Sequence, residues 1–178
     1  MMEYPVGASG QILVLADAVL AQFHAHRQTR WLQRESGGQL FAHFEGSRIL
    51  VVEATGPRVA DWRTTRSFLP NRKAEQQEIY ERHRAGRHYI GDWHTHYEEM
   101  PRPSATDIRS IRECFARSEH DLLGFVLVVV GRCNPPRGLH VSLHGEANGV
   151  ELVARPETDA RTAGARARGN GPGHTPTQ

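Results

Sequence analysis

The longest apolar run in the chain is Leu122 to Val130, interrupted by Gly124. It is far shorter than the roughly 20 residues a helix needs to cross a bilayer. It reads instead as a buried strand, which requires a sheet. Other segments supply the neighbours. Gln39 to Phe44 alternates, with Leu40, Ala42 and Phe44 on one face. Glu45-Gly46 is a turn signal, and Ile49 to Ala54 returns as a second strand. His88 to His94, Leu139 to His144 and a short Val150 to Ala154 complete the set. Three segments read as helices. One is capped by Ser9 and runs to about Thr29, with Ile12, Ala16, Val19, Leu20 and Phe23 at helical spacing. The others are Asn71 to Ala85, with Gly86 after it, and Ser104 to about Ser118. Thr55 to Pro70 reads as a loop, with a short strand near Arg66 to Leu69. The expected class is α/β, with a mixed, mostly antiparallel sheet flanked by helices.

At 178 residues the chain has room for one domain with a sizeable core. A formal net charge of +2 is too small for a polyanion-binding signature, so no nucleic-acid partner is expected. Two cysteines make no disulfide framework and fit a reducing, cytoplasmic setting. Met1 to Gly10 lacks a basic stretch followed by an apolar one, so neither a signal peptide nor a membrane partner is expected. Residues 155–178 hold Gly, Pro, Thr, Ala and Arg without large apolar side chains, and are expected to be a disordered tail behind a domain at 1–154.

Histidine is the residue in excess, with eleven copies. At that frequency a His-x-His pair arises by chance roughly 0.7 times in a chain of this length. Two are present, His24/His26 and His94/His96. The first falls on an expected helix, where positions i and i+2 point to different faces. The second falls at the end of an expected strand. There i and i+2 share a face about 7 Å apart, and two imidazoles can converge on one ion. Seven residues separate His96 from Ser104, and two separate Ser104 from Asp107. Adding those two requirements lowers the chance rate to about 0.001. Ser104-x-x-Asp107 is also a helix-capping pattern, and both readings can hold together. His94, His96 and Asp107 make three ligands. That leaves a fourth zinc position for water, and no cysteine is placed to close the site.

The run His94-Thr95-His96, seven residues, Ser104, two residues, Asp107 resembles the JAMM signature of the JAB/MPN metallopeptidases. Glu35-Ser36-Gly37-Gly38-Gln39-Leu40 is similar to that family's glutamate, small-residue pair and apolar strand, behind an N-terminal helix. Glu53-Ala54-Thr55-Gly56-Pro57, Gly91-Asp92-Trp93-His94 and the pair Gln76, Gln77 resemble the stand-alone, deubiquitinase-like bacterial branch found with CBASS anti-phage operons and mobile elements. The resemblance spans about residues 9 to 145 and implies a single JAB/MPN-type domain with a curved sheet. It implies Zn2+ held by His94, His96 and Asp107, Glu35 as general base, and Ser104 as oxyanion donor. The implied substrate is a ubiquitin-like or conjugated protein, with an E1/E2-like conjugating enzyme as working partner.

Some positions carry two readings. Asp92 shares a strand face with His94 and either orients it or is an ordinary carboxylate. Gly37-Gly38 permits close backbone approach behind Glu35 or marks a bulge. Trp93 alternates away from the ligand face and is expected in the core. The family usually has Pro after its second histidine; here stands Tyr97. The RadC-like branch carries His-Asn-His-Pro, which is absent. Two other functions share the motif set: processing of a sulfur carrier ending in Gly-Gly, and a non-catalytic scaffold.

Overall fold

The computed structural model describes residues 1–146 and 148–156. In chain order they form β1 (Met2–Pro5), β2 (Ile12–Leu15), α1 (Asp17–His26), β3 (Gly37–Glu45) and β4 (Arg48–Ala54). Then come β5 (Trp62–Arg63), β6 (Phe68–Leu69), α2 (Arg72–Arg84), β7 (His88–Thr95) and α3 (Ala105–Arg117). The last three are β8 (Phe125–Val130), β9 (Leu139–His144) and β10 (Gly149–Leu152).

Eight strands make one mixed sheet in the order β1-β2-β4-β3-β7-β8-β9-β10, and β5-β6 is a separate hairpin. The pairs β2/β4 and β7/β8 are parallel; the other pairings are antiparallel. The sheet curves until its edges meet. Arg155, beyond β10, donates its N–H to the Glu3 carbonyl on β1 at 2.8 Å, and its guanidinium reaches the Glu3 carboxylate at 3.2 Å. Residues 155 and 156 of the expected tail are among the described residues. The remainder of the expected tail, from residue 157, lies outside the described residues.

β8 shows why its run is apolar throughout. Val126, Val128 and Val130 join the main core with Val19 and Phe23 of α1. Phe125, Leu127 and Val129 face the opposite way, under Ile111 and Phe115 of α3. Both faces are covered, as for a parallel pair with a helical crossover. Each such side chain contributes about 1.5–3 kcal/mol by leaving water.

One expected helix is corrected. The segment from Ser9 to Thr29 is not a single helix. Ile12–Leu15 is a strand, parallel to β4 and antiparallel to β1, and α1 begins only at Asp17. The Ser9 hydroxyl instead closes a turn, donating to the Val6 carbonyl at 2.6 Å. Four consecutive apolar residues satisfy helical spacing as readily as strand spacing. Here the ladder to β1 and β4 decides. β1 carries no turn or alternation signal that stood out in sequence. α2 and α3 start where expected, with Asn71 and Ser104 as N-caps.

No helix among the described residues is long and apolar enough to cross a membrane.

Candidate metal centre

β7 and α3 are consecutive elements of a strand–helix–strand unit, and the ligand set is split between them. His94 and His96 lie at the carboxyl end of β7, and Asp107 in the first turn of α3. That is the end of a crossover unit where ligands collect. Strand alternation aims both imidazoles to one face. Asp107 is aimed by a capping box. The Ser104 hydroxyl accepts the Asp107 N–H at 3.2 Å, and the Ser104 N–H donates to Asp107 Oδ2 at 2.6 Å.

The three side chains converge. His94 Nε2 and His96 Nε2 are 3.1 Å apart, and Asp107 Oδ2 is 3.4 Å from the first and 3.5 Å from the second. Bonds of about 2.0–2.1 Å in a tetrahedron put neighbouring ligands roughly 3.3–3.5 Å apart. The two edges to Asp107 have those dimensions, and the edge between the imidazoles is slightly shorter. Three electron-rich atoms at such distances repel unless a cation or proton lies among them. Among the described residues it is the one group of this kind suited to an ion. His96 Nδ1 is buried without a hydrogen-bond partner among the described residues. Packing against His94, ring centres 4.8 Å apart, holds it instead.

Charge follows the geometry. Burial pushes the Asp107 carboxyl up, but hydrogen bonds from His94, His96 and Ser104 outweigh it and hold it far below the usual carboxylate range. Burial presses His96 down, and contact with Asp107 more than reverses that. Glu35 moves the other way. It is 7% exposed, and burial raises its carboxyl above the ordinary value against the pull of His94 and His96.

Glu35 and the ligand set share a groove of about 1030 Å³. Arg66 to Pro70, running through β6, forms one wall, and Ser104 to Ile111 of α3 the other. Trp31 and Leu69 stand on its rim, 69% and 59% exposed. Tyr97 is there too, under the Arg132 guanidinium at 4.5 Å.

The other expectations divide. Gly37 and Gly38 serve close approach. A Cβ on Gly38 would meet the Thr55 carbonyl oxygen at 1.9 Å, and one on Gly37 the Phe68 ring at 2.6 Å. The register shifts of β3 lie further on, between Leu40 and Ala42. Trp93 is 1% exposed, packed on Phe23 and bonded to the Thr55 carbonyl at 2.9 Å. Asp92 does not orient His94 by a hydrogen bond. It accepts the Tyr89 hydroxyl at 2.9 Å, at the groove floor beside Glu75. Burial and the Asp92 charge push Glu75 upward, against Arg72 and Arg58. Gln76 and Gln77 lie exposed on α2.

Sequence reasoning missed a polar network behind Glu35. Gln28 and Thr95 are both fully buried. Thr95 Oγ accepts the Ser36 N–H at 3.0 Å and donates to Gln28 Oε1 at 3.3 Å. The available signal was alternation: a threonine between two outward histidines points inward.

The chain is similar to known proteins. The family described as prokaryotic homologs of the JAB domain matches residues 16–143. A CD-NTase/cGAS isopeptidase of Vibrio cholerae is 34% identical over 126 residues, 68% of this chain and 77% of its own. The Escherichia coli protein of the same name is 27% identical over 67% of this chain and 76% of its own. A "Probable metalloprotease" of Sinorhizobium fredii is 37% identical over 75% of this chain and 85% of its own. The solution structure of a Desulfitobacterium hafniense protein superposes with a TM-score of 0.56 at 16% identity, covering 78% of this chain and 88% of that one. That likeness is one of fold.

Proposed function

The chain belongs to the prokaryotic homologues of the JAB domain, and we propose that it is a zinc-dependent isopeptidase whose catalytic domain occupies residues 1–154. The observation that carries the proposal is the convergence of His94, His96 and Asp107 in one groove with the buried carboxyl of Glu35. His94, His96 and Asp107 would hold the ion. Zinc there would supply a Lewis acid and bring the pKa of water down to about 7.

The remaining chemistry belongs to side chains. Glu35 accepts the proton of the attacking water on its carboxylate and passes it to the leaving amine. Its raised affinity for a proton suits both halves of that transfer. The Ser104 oxygen accepts the Asp107 N–H, which leaves its own O–H free to donate to the oxyanion. A substrate tail would lie extended along the groove. β6 pairs only with β5 among the described residues, and its other edge lies on the groove and is open to strand addition.

The substrate we propose is a conjugate formed through the C-terminal tail of a nucleotidyltransferase or a ubiquitin-like protein. The relatives named for a CD-NTase/cGAS isopeptidase activity support this class. An E1/E2-like enzyme would make the bond, in an anti-phage setting in the cytoplasm. The test is cleavage of such a conjugate by the wild-type chain, by Glu35→Ala, and with a chelator present. Cleavage that survives either treatment sinks the proposal.

A further inference from the structure

Glu35 stands two residues before β3, outside the ladder of the large sheet. Its backbone is held elsewhere, and by one short segment. The Glu35 N–H donates to the Thr64 carbonyl at 2.7 Å. The Glu35 carbonyl accepts Nε of Arg63. Nη2 of the same guanidinium donates to Ser36 Oγ at 2.6 Å and to the Arg34 carbonyl at 3.5 Å. One side chain on the β5–β6 hairpin thus grips three consecutive residues centred on Glu35.

The residue after Glu35 is fixed from the opposite direction. Ser36 exchanges hydrogen bonds with Thr95, which lies between the two histidines: its N–H goes to Thr95 Oγ, and its carbonyl accepts the Thr95 N–H at 2.8 Å. With Ser36 pinned to β7, the direction of the Glu35 side chain depends on what holds Glu35 itself. Arg63 and Thr64 do that.

Arg63 is costly to keep in this place. It is half-buried, and burial together with the neighbouring Arg34 charge lowers its affinity for a proton. Its donors are spent on neutral oxygens. A guanidinium withdrawn from water ordinarily takes a carboxylate partner. Here its value is the planar fork, which reaches a carbonyl and a hydroxyl on adjacent residues at once. The same hairpin continues into the groove wall, where Phe68 packs on Gly37.

We infer that Arg63 is a positioning residue for Glu35, setting the carboxyl opposite the ligand triad through the backbone of residues 34–36. This rests on the proposed role of Glu35. It predicts a loss confined to the chemical step.

The experiment uses the full chain carrying Arg63→Ala or Arg63→Lys, with zinc content, kcat, KM and amide hydrogen exchange measured on each. Arg63→Ala should lower kcat about a hundredfold, the scale of a misplaced reacting group. KM should stay within about threefold, and zinc should remain at one per chain. Millimolar methylguanidinium should restore part of kcat. Arg63→Lys should not recover the loss, since one ammonium cannot bridge both oxygens. In the metal-free protein, exchange at Glu35 should accelerate in Arg63→Ala while Leu40 to Phe44 stays protected. Unchanged kcat with unchanged exchange overturns the inference. So does a joint loss of zinc, KM and β3 protection, which marks a merely structural role. If the wild-type chain cleaves no conjugate, the proposed function fails, and the exchange comparison still decides whether Arg63 holds Glu35.

Discussion

The chain carries His-x-His twice, with opposite outcomes. On α1, His24 is exposed, while His26 bonds the Gln22 carbonyl at 3.0 Å and sets its edge against Trp93. At the end of β7, His94 and His96 bring their Nε2 atoms to 3.1 Å. The spacing of the two histidines is identical. The difference is the backbone period: a helix turns the second imidazole about 200° from the first, and a strand returns it to the same face. A spacing motif therefore has chemical meaning only together with its secondary structure. A second element, α3, must also bring the third ligand.

The largest effect expected from this contrast is at the ligands. His94→Ala or His96→Ala should abolish stoichiometric zinc in elemental analysis. Cleavage should fall by more than the roughly 10–100-fold that losing an outer partner costs. His24→Ala and His26→Ala should leave both measurements unchanged. Zinc loss from the α1 variants would break the comparison.

Glu35→Gln separates ligand from base within the groove. Zinc should stay bound, and kcat should drop by about 10²–10⁴-fold, the usual contribution of a positioned general base. A Glu35→Gln protein that lost its metal would place the residue among the ligands instead.

Ser104 sharpens the picture further because it caps a helix and is also the proposed oxyanion donor. Ser104→Ala should cost about 1 kcal/mol of stability through the lost cap, and about 10²-fold or more in kcat through the lost donor. Ser104→Asp restores a capping acceptor without an O–H. Thermal unfolding should recover with that variant while turnover does not. Recovery of both would reduce Ser104 to a cap.

The smallest effect lies away from both histidine pairs and serves as their control. Glu53 accepts hydrogen bonds from Arg82 and Arg87, which join β4 to α2 and the start of β7. Burial raises its carboxyl, but those two arginines overcome it and leave the folded value below 4.5. A depressed folded value stabilises above the unfolded one, and that contribution disappears as pH falls through the folded value. Glu53→Gln should therefore lower the melting temperature at pH 7, by an amount worth at most about 1 kcal/mol for so accessible a pair. The deficit should shrink in acid. A deficit that grew on acidification would contradict the assignment.

Much of the site was readable because its parts are local. His94 and His96 share a strand, and Ser104 and Asp107 share one helical turn, so short-range periodicity relates each pair. The resemblance then supplied Glu35. What escaped reading had no local signal. The Ile12–Leu15 strand looked helical because an apolar run matches either period, and only its ladder with β1 and β4 distinguishes them. Asp92 shares a face with His94, yet its partner proved to be Tyr89, placed by the depth of the groove.

By itself the sequence determined the composition of each element: an apolar strand that had to be covered on both faces, two imidazoles on one strand face, and a capped helix start carrying an acid. Those follow from backbone period and capping chemistry, which act over a few residues. Tertiary structure alone decided what stands opposite what. The parallel pairing of β7 with β8 places α3, and so Asp107, over the histidines. The β5–β6 hairpin, of which only a short strand near Arg66 to Leu69 is legible in sequence, comes back across 28 residues to hold Glu35. Such contacts depend on how the sheet curves and where loops pack, and no periodicity along the chain encodes them.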